Sequence, residues 1–147
     1  MLDLFAIIAV VLPILSLIYL SVKTWKTNVI FRQAINFYKA KDYANAEISF
    51  QQLITINYAN DLVHLLLGDT LLRQKQLEAA IDRYQEVVKR APKKVDAYCR
   101  LSNALIIDNQ RQEAIKLLEK SQKYFQSKRQ VNDLKKIQQL LKIIAES

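Results

Sequence analysis

One histidine, His64, and one cysteine, Cys99, are the only imidazole and the only thiol among 147 residues. Metal ligation and nucleophilic catalysis need such groups in clusters, as a donor set around an ion or a nucleophile beside its base. His64 therefore reads as a packing residue, and Cys99 as a small packing side chain with no disulfide or Cys-x-x-Cys partner. Carboxylates four residues apart, Glu78, Asp82 and Glu86, would share one helical face and offer acid–base chemistry. Arg83, Lys89 and Arg90 surround them, the pattern of a solvated helix surface. The single glycine, Gly68, cannot build the Gly-rich turn that a nucleotide phosphate requires. The residues thus predict no catalytic group, cofactor, metal or small-molecule substrate, and a function other than enzymatic.

The elements that position these residues are helical by composition. Beyond the apolar opening the chain holds one glycine and one proline, Pro92, and is rich in Leu, Ile, Ala, Lys, Gln and Glu. The net charge of +8 is spread along the chain. Its densest cluster, KRAPKK at 89–94, lies around a turn without the interleaved aromatics that stack on bases, so nucleic acid is not an expected partner.

Leu4 to Val22 is an uncharged run whose polar side chains are Ser16, Tyr19 and Ser21. A helix of that length crosses a hydrocarbon core of about 30 Å. Pro13 lies within it, and proline is tolerated in membrane helices where neighbouring groups satisfy the freed carbonyl. A cleaved signal peptide would carry a basic start and a small-x-small cleavage site, and MLDLF and SVKTWK supply neither. The reading is an uncleaved anchor over residues 1–26, a single-pass span. Lys23, Lys26 and Arg32 follow it, which places the body on the cytoplasmic or stromal side.

The body repeats itself. LEAAIDRYQEVVKRAPKK at 77–94 has a counterpart 34 residues later in RQEAIKLLEKSQKYF and another 34 residues earlier in YANAEISFQQLITIN. Units 27–60, 61–94 and 95–128 align without insertion. Ala46, Ala80 and Ala114 coincide, as do Ala34, Gly68 and Ser102, and as do the large Phe50, Tyr84 and Leu118. Helices that cross closely need a small residue at the contact, so the spacing pairs Ala34 with Ala46, Gly68 with Ala80 and Ser102 with Ala114. SKRQ at 127–130 reads as a capping box with Ser127 as N-cap. After it, Leu134, Ile137, Leu140, Leu141 and Ile144 share one face opposite Lys135, Gln139 and Lys142, as a capping helix over 129–147 would.

These repeats resemble the tetratricopeptide-repeat family, most closely in Leu67, Gly68, Leu71, Ala80, Tyr84, Val87 and Pro92. The glycine usual in the intrahairpin turn is replaced by Lys41, Lys75 and Asn109. The resemblance implies an all-α fold of three helical hairpins stacked as a short right-handed solenoid, closed by the capping helix and preceded by the transmembrane helix. It also implies a concave peptide-binding groove lined by the first helix of each hairpin. Carried onto this chain, the groove residues are Phe31, Ile35, Tyr38, Lys39, Leu65, Asp69, Leu72, Arg73 and Asn103, with Asn28, Leu62, Asp96, Cys99, Ile106 and Ile107 beside them. Phe31 and Ile35 stand where members that grasp acidic chaperone tails carry lysine and asparagine. Anchor, basic flank, three repeats and capping helix together resemble the small membrane-tethered tetratricopeptide proteins of thylakoids that assist photosystem I assembly. That resemblance implies a protein client, photosystem I subunits or assembly intermediates, and a thylakoid membrane. A receptor or adaptor for protein import or organelle division, and a basic membrane-surface or nucleic-acid binder, are the alternatives.

Overall fold

A computed structural model describes residues 2–146. Met1 and Ser147, the outermost residues of the expected anchor and capping helix, lie outside the described residues, as do the side chains of Leu2, Asp3 and Leu4. Among the described residues there are seven α-helices and no strand. They are α1 Leu2–Lys39, α2 Tyr43–Ile56, α3 Asp61–Arg73, α4 Leu77–Arg90, α5 Val95–Ile107, α6 Arg111–Ser127 and α7 Val131–Glu146. Each packs on the next in chain order, the pattern of stacked hairpins.

α1 is one uninterrupted helix of 38 residues, about 57 Å long at the α-helical rise. It passes Pro13 without ending and runs straight through residues 26 and 27, where the sequence places the end of the anchor. From Phe5 to Lys26 every side chain is exposed, and this stretch is long and apolar enough to cross a membrane, a property it shares with signal sequences. From Ile30 onward α1 buries one face against α2, with Ala34 fully enclosed.

The small residues sit where close crossing needs them. Ala34, Ala46, Ala80 and Ala114 are wholly buried, and Ser102 nearly so. At Gly68 the nearest side chain is the ring of Tyr84. A Cβ at Gly68 would lie 2.9 Å from Cδ1 and Cζ of Tyr84 and closer still to Cε1. The missing side chain makes room for the Tyr84 ring, which crosses it on the way to Asp69. His64 is fully buried, its Nε2–H donating to the Tyr58 carbonyl at 2.8 Å, in keeping with the packing role read from sequence.

The turns are of two kinds, which alternate as far as α6. After α1, α3, α5 and α6 the chain reverses through a residue of positive φ: Lys41, Lys75, Asn109 and Arg129 at 63°, 64°, 59° and 56°. In each, the next residue donates its N–H back to a carbonyl five positions earlier, as from Asp42 to Phe37, Gln76 to Leu71, Gln110 to Leu105 and Gln130 to Phe125. This is the Schellman closure, which favours glycine at the left-handed position. The other turns, 57–60 and 91–94, lead from one hairpin to the next.

The expected capping box is not formed. Ser127 is the last residue of α6, and its hydroxyl donates to the Tyr124 carbonyl at 2.8 Å. The repeat register would end α6 near Phe125, level with Asn57 and Ala91. Phe125 is instead fully buried against Tyr98 in an edge-to-face contact at 5.7 Å, and burying a ring contributes about 2 kcal/mol. The helix continues far enough to seat it, then turns back through Arg129 into α7. Ile137 and Ile144 of α7 are buried on α5 and α6, with Leu134, Leu140 and Leu141 half-buried beside them. The capping face is therefore the one the spacing predicts, although its entrance is not.

Candidate functional site

The first helices of the three hairpins line a cleft of about 700 Å³. Tyr38 comes from α1, Asp69, Leu72 and Arg73 from α3, and Cys99, Arg100, Asn103 and Ile107 from α5, with Lys75 and Leu77 closing one end. Leu72, Leu77 and Ile107 give it apolar wall, while Arg73, Lys75 and Arg100 make its polar side cationic.

The one carboxylate among these residues is already engaged. The Tyr84 hydroxyl donates to Asp69 Oδ1 at 2.7 Å, and the Arg100 guanidinium pairs with Asp69 Oδ2. Asp69 thus joins α3 to α4 and to α5, and Gly68 beside it admits the ring that reaches it. Burial pushes the Tyr84 phenol well above its ordinary pKa, with Tyr38 adding to the rise and Arg73 opposing it. Arg73 lies beside the Tyr38 hydroxyl, which raises the guanidinium pKa further and keeps it charged. Cys99 is half-buried, and its thiol is raised first by burial and then by the Asp96 carboxylate, so it stays protonated near neutrality.

Of the nine groove residues named from sequence, Tyr38, Asp69, Leu72, Arg73 and Asn103 meet in this cleft. The other four do not line it. Phe31 and Ile35 are half-buried against the hydrophobic core, and Lys39 is exposed at the end of α1. Leu65 is only 3% exposed; α3 packs directly on α5, and Leu65 is absorbed into the core between hairpins. Arg100, Lys75 and Leu77 were missed. The spacing 100, 103, 107 is one face of a helix, so Arg100 was readable beside Asn103 and Ile107.

The carboxylates noted for acid–base chemistry divide. Glu78 and Asp82 are solvated. Glu86 is not simply surface: it pairs with Arg83 at 3.2 Å, lies 3.5 Å from Arg90, accepts the Tyr58 hydroxyl and approaches His64 Nδ1 at 3.6 Å. This cluster ties the 57–60 turn to the end of α4, and Arg90 also binds Asp61 at 2.8 Å. Among the described residues no group of three His, Cys, Asp or Glu is placed to hold a metal ion.

Hairpins of two antiparallel helices, each offering its first helix to a shared concave surface, define a helical-repeat solenoid. Family models described as tetratricopeptide repeat match residues 31–94 and 71–136, together well over half the chain, and the chain belongs to the tetratricopeptide-repeat family. No curated protein matches it. Among solved structures it is similar to the TPR2B domain of yeast Sti1 in its complex with pHsp70, at 16% identity and a TM-score of 0.70, over 83% of this chain and 98% of that one. It is also similar to the Yersinia enterocolitica type III secretion chaperone SycD bound to a peptide of the translocator YopD, at 21% identity and a TM-score of 0.66, over 80% and 91%. PcrH of Pseudomonas aeruginosa follows at 12% identity and a TM-score of 0.69, over 82% and 92%. At these identities the likeness is one of fold.

Proposed function

We propose that this chain is a membrane-tethered scaffold that holds a segment of a client protein in the cleft between its hairpins. The observation that carries the reading is the cleft itself: an open space of about 700 Å³ with apolar wall and free cationic groups, whose one carboxylate is already neutralised from within. Such a surface suits an extended or helical segment that offers apolar side chains to Leu72, Leu77 and Ile107 and an acceptor to Arg73. The titles of two similar folds, pHsp70 on Sti1 and a YopD peptide on SycD, support a peptide or protein as the ligand class. In this reading residues 1–26 are the anchor and its basic flank, 27–60, 61–94 and 95–128 are the repeats, and 129–147 is the cap.

The client we propose is a photosystem I subunit or assembly intermediate at the thylakoid membrane, with the body on the stromal side. Its support is the resemblance in architecture: one apolar helix, a basic flank, three repeats and a terminal helix within 147 residues. Pull-down from solubilised photosynthetic membranes tests it. Tyr38→Glu with Leu72→Glu puts two charges on the cleft wall and should abolish capture, at several kcal/mol of binding, while circular dichroism stays helical. Capture undiminished in the double variant would move the binding surface elsewhere. Capture of import or division components in place of photosystem I would favour the adaptor reading.

A further inference from the structure

The direction in which the body faces the membrane follows from two features of the chain. After Pro13, α1 contains neither proline nor glycine to kink it before Lys39. Alongside it, the C-terminal end of α2 lies at the level where the apolar run meets its first lysine. Thr55 and Ile56 share one recess with Tyr19, Val22, Lys23 and Lys26, and Ile56 and Asn57 share another with Leu20, Thr24 and Asn28. No linker separates the span from the solenoid, so one edge of the solenoid begins at the bilayer surface.

That edge is the one formed by the turns between hairpins. The chain reverses at every turn, so 57–60, 91–94 and 127–130 end on the same side. Arg90 stacks over the Tyr58 ring at 5.2 Å and binds Asp61, and Lys136 at the start of α7 lies 3.8 Å from Asp96 at the start of α5, which fixes these ends side by side. The charge there is mainly basic, with Asp133 in the first turn of α7 as an acidic residue that no ion pair engages among the described residues. Asp61 is taken by Arg90 and Lys94, and Asp96 by Lys136. Lys89, Lys93, Lys128 and Arg129 are exposed and form no ion pair among the described residues. The opposite edge, at 40–42, 74–76 and 108–110, mixes Lys41 and Lys75 with Asp42 and Asp108.

We propose that the inter-hairpin edge is a headgroup-binding face: Lys89, Lys93, Lys128 and Arg129 lie on anionic lipid beside the span and hold the solenoid flat on the membrane, with its intrahairpin edge turned away. The occupant is lipid because α1 delivers this edge to the bilayer, where each lysine near an anionic surface adds attraction that falls off within a Debye length. The inference rests on α1 spanning the membrane, and the experiment separates the two. Full-length protein is reconstituted into vesicles of phosphatidylcholine alone or mixed with phosphatidylglycerol, and acetylation of each lysine is followed by mass spectrometry. Phosphatidylglycerol should slow Lys89, Lys93 and Lys128 severalfold, leave Lys41 and Lys75 little changed, and lose its effect at high salt. Equal slowing at both edges, or none, would overturn the headgroup face while carbonate-resistant protein keeps the span. Release of the protein from both vesicles by carbonate would overturn span and face together. Slowing of the same lysines by an added oligonucleotide and not by phosphatidylglycerol would assign the edge to nucleic acid and overturn the lipid reading.

Discussion

Gly68, Tyr84, Asp69 and Arg100 act as one unit, each explaining the next. The glycine admits the ring, the ring carries its hydroxyl to the carboxylate, and the carboxylate receives the arginine of the following hairpin. Gly68→Ala should therefore destabilise the protein by about 1–3 kcal/mol through overpacking against a ring with no room to retreat, read as a lower melting temperature. Tyr84→Phe keeps the ring and loses the bond, at about 1 kcal/mol. Its pH signature has a definite sign. The folded-state pKa of Tyr84 is raised above the ordinary value of 10.0, so the folded chain keeps its proton while the unfolded chain loses it. Stability from this group is complete below that ordinary pKa and declines as pH rises past it toward the folded value. Denaturant melts across the alkaline range should show the decline in wild type and a shallower one in Tyr84→Phe; parallel curves would remove Tyr84 as its source. The sequence supplied the small residue at 68 and a close crossing as its reason, but a 34-residue alignment pairs equivalent positions and cannot show a ring arriving from a turn away.

At the level of elements, the 34-residue period was enough to place three hairpins, because small residues at each crossing and large ones beside them recur in register. The family resemblance put Lys41, Lys75 and Asn109 where its members carry a turn glycine, and the structure finds each of them at positive φ. An L-residue there costs about 1–2 kcal/mol relative to its unstrained state. Lys75→Gly should accordingly raise the melting temperature and Lys75→Val lower it; the reverse order would contradict the turn geometry. A second test uses the repeat against itself. Asp42 caps α2 by accepting the Asn45 N–H, whereas its equivalent Gln76 makes no side-chain cap for α4. Gln76→Asp should add about 1 kcal/mol, read in the same melt. The α6–α7 connection was not legible because SKRQ satisfies a local capping pattern. The burial of Phe125, a tertiary event, carried α6 past it.

Over the whole molecule, the sequence separates an apolar opening from a repeat body, and the structure joins them in one helix. The join escaped the sequence because the change at Lys23 is one of polarity, whereas helical propensity continues without a break through Lys39. The groove was legible in part for a similar reason. Positions carried from the family share a helix face, but how far adjacent hairpins close over that face is set by packing, which left Tyr38, Asp69, Leu72, Arg73 and Asn103 in the cleft and buried Leu65. Core burial begins at Ala34, with Ile30 partly buried, so a chain lacking residues 1–25 should remain helical with a cooperative melt by circular dichroism. The central claim is that the tethered solenoid holds its client in the cleft. Site-specific photocrosslinking in native membranes tests it most directly, with a photoreactive side chain placed at Leu72 inside the cleft or at the exposed Gln112 on α6. The account predicts a discrete adduct from position 72 that disappears when Tyr38→Glu is added, and no such adduct from position 112. The same adduct from both positions, or one from position 112 alone, would contradict it.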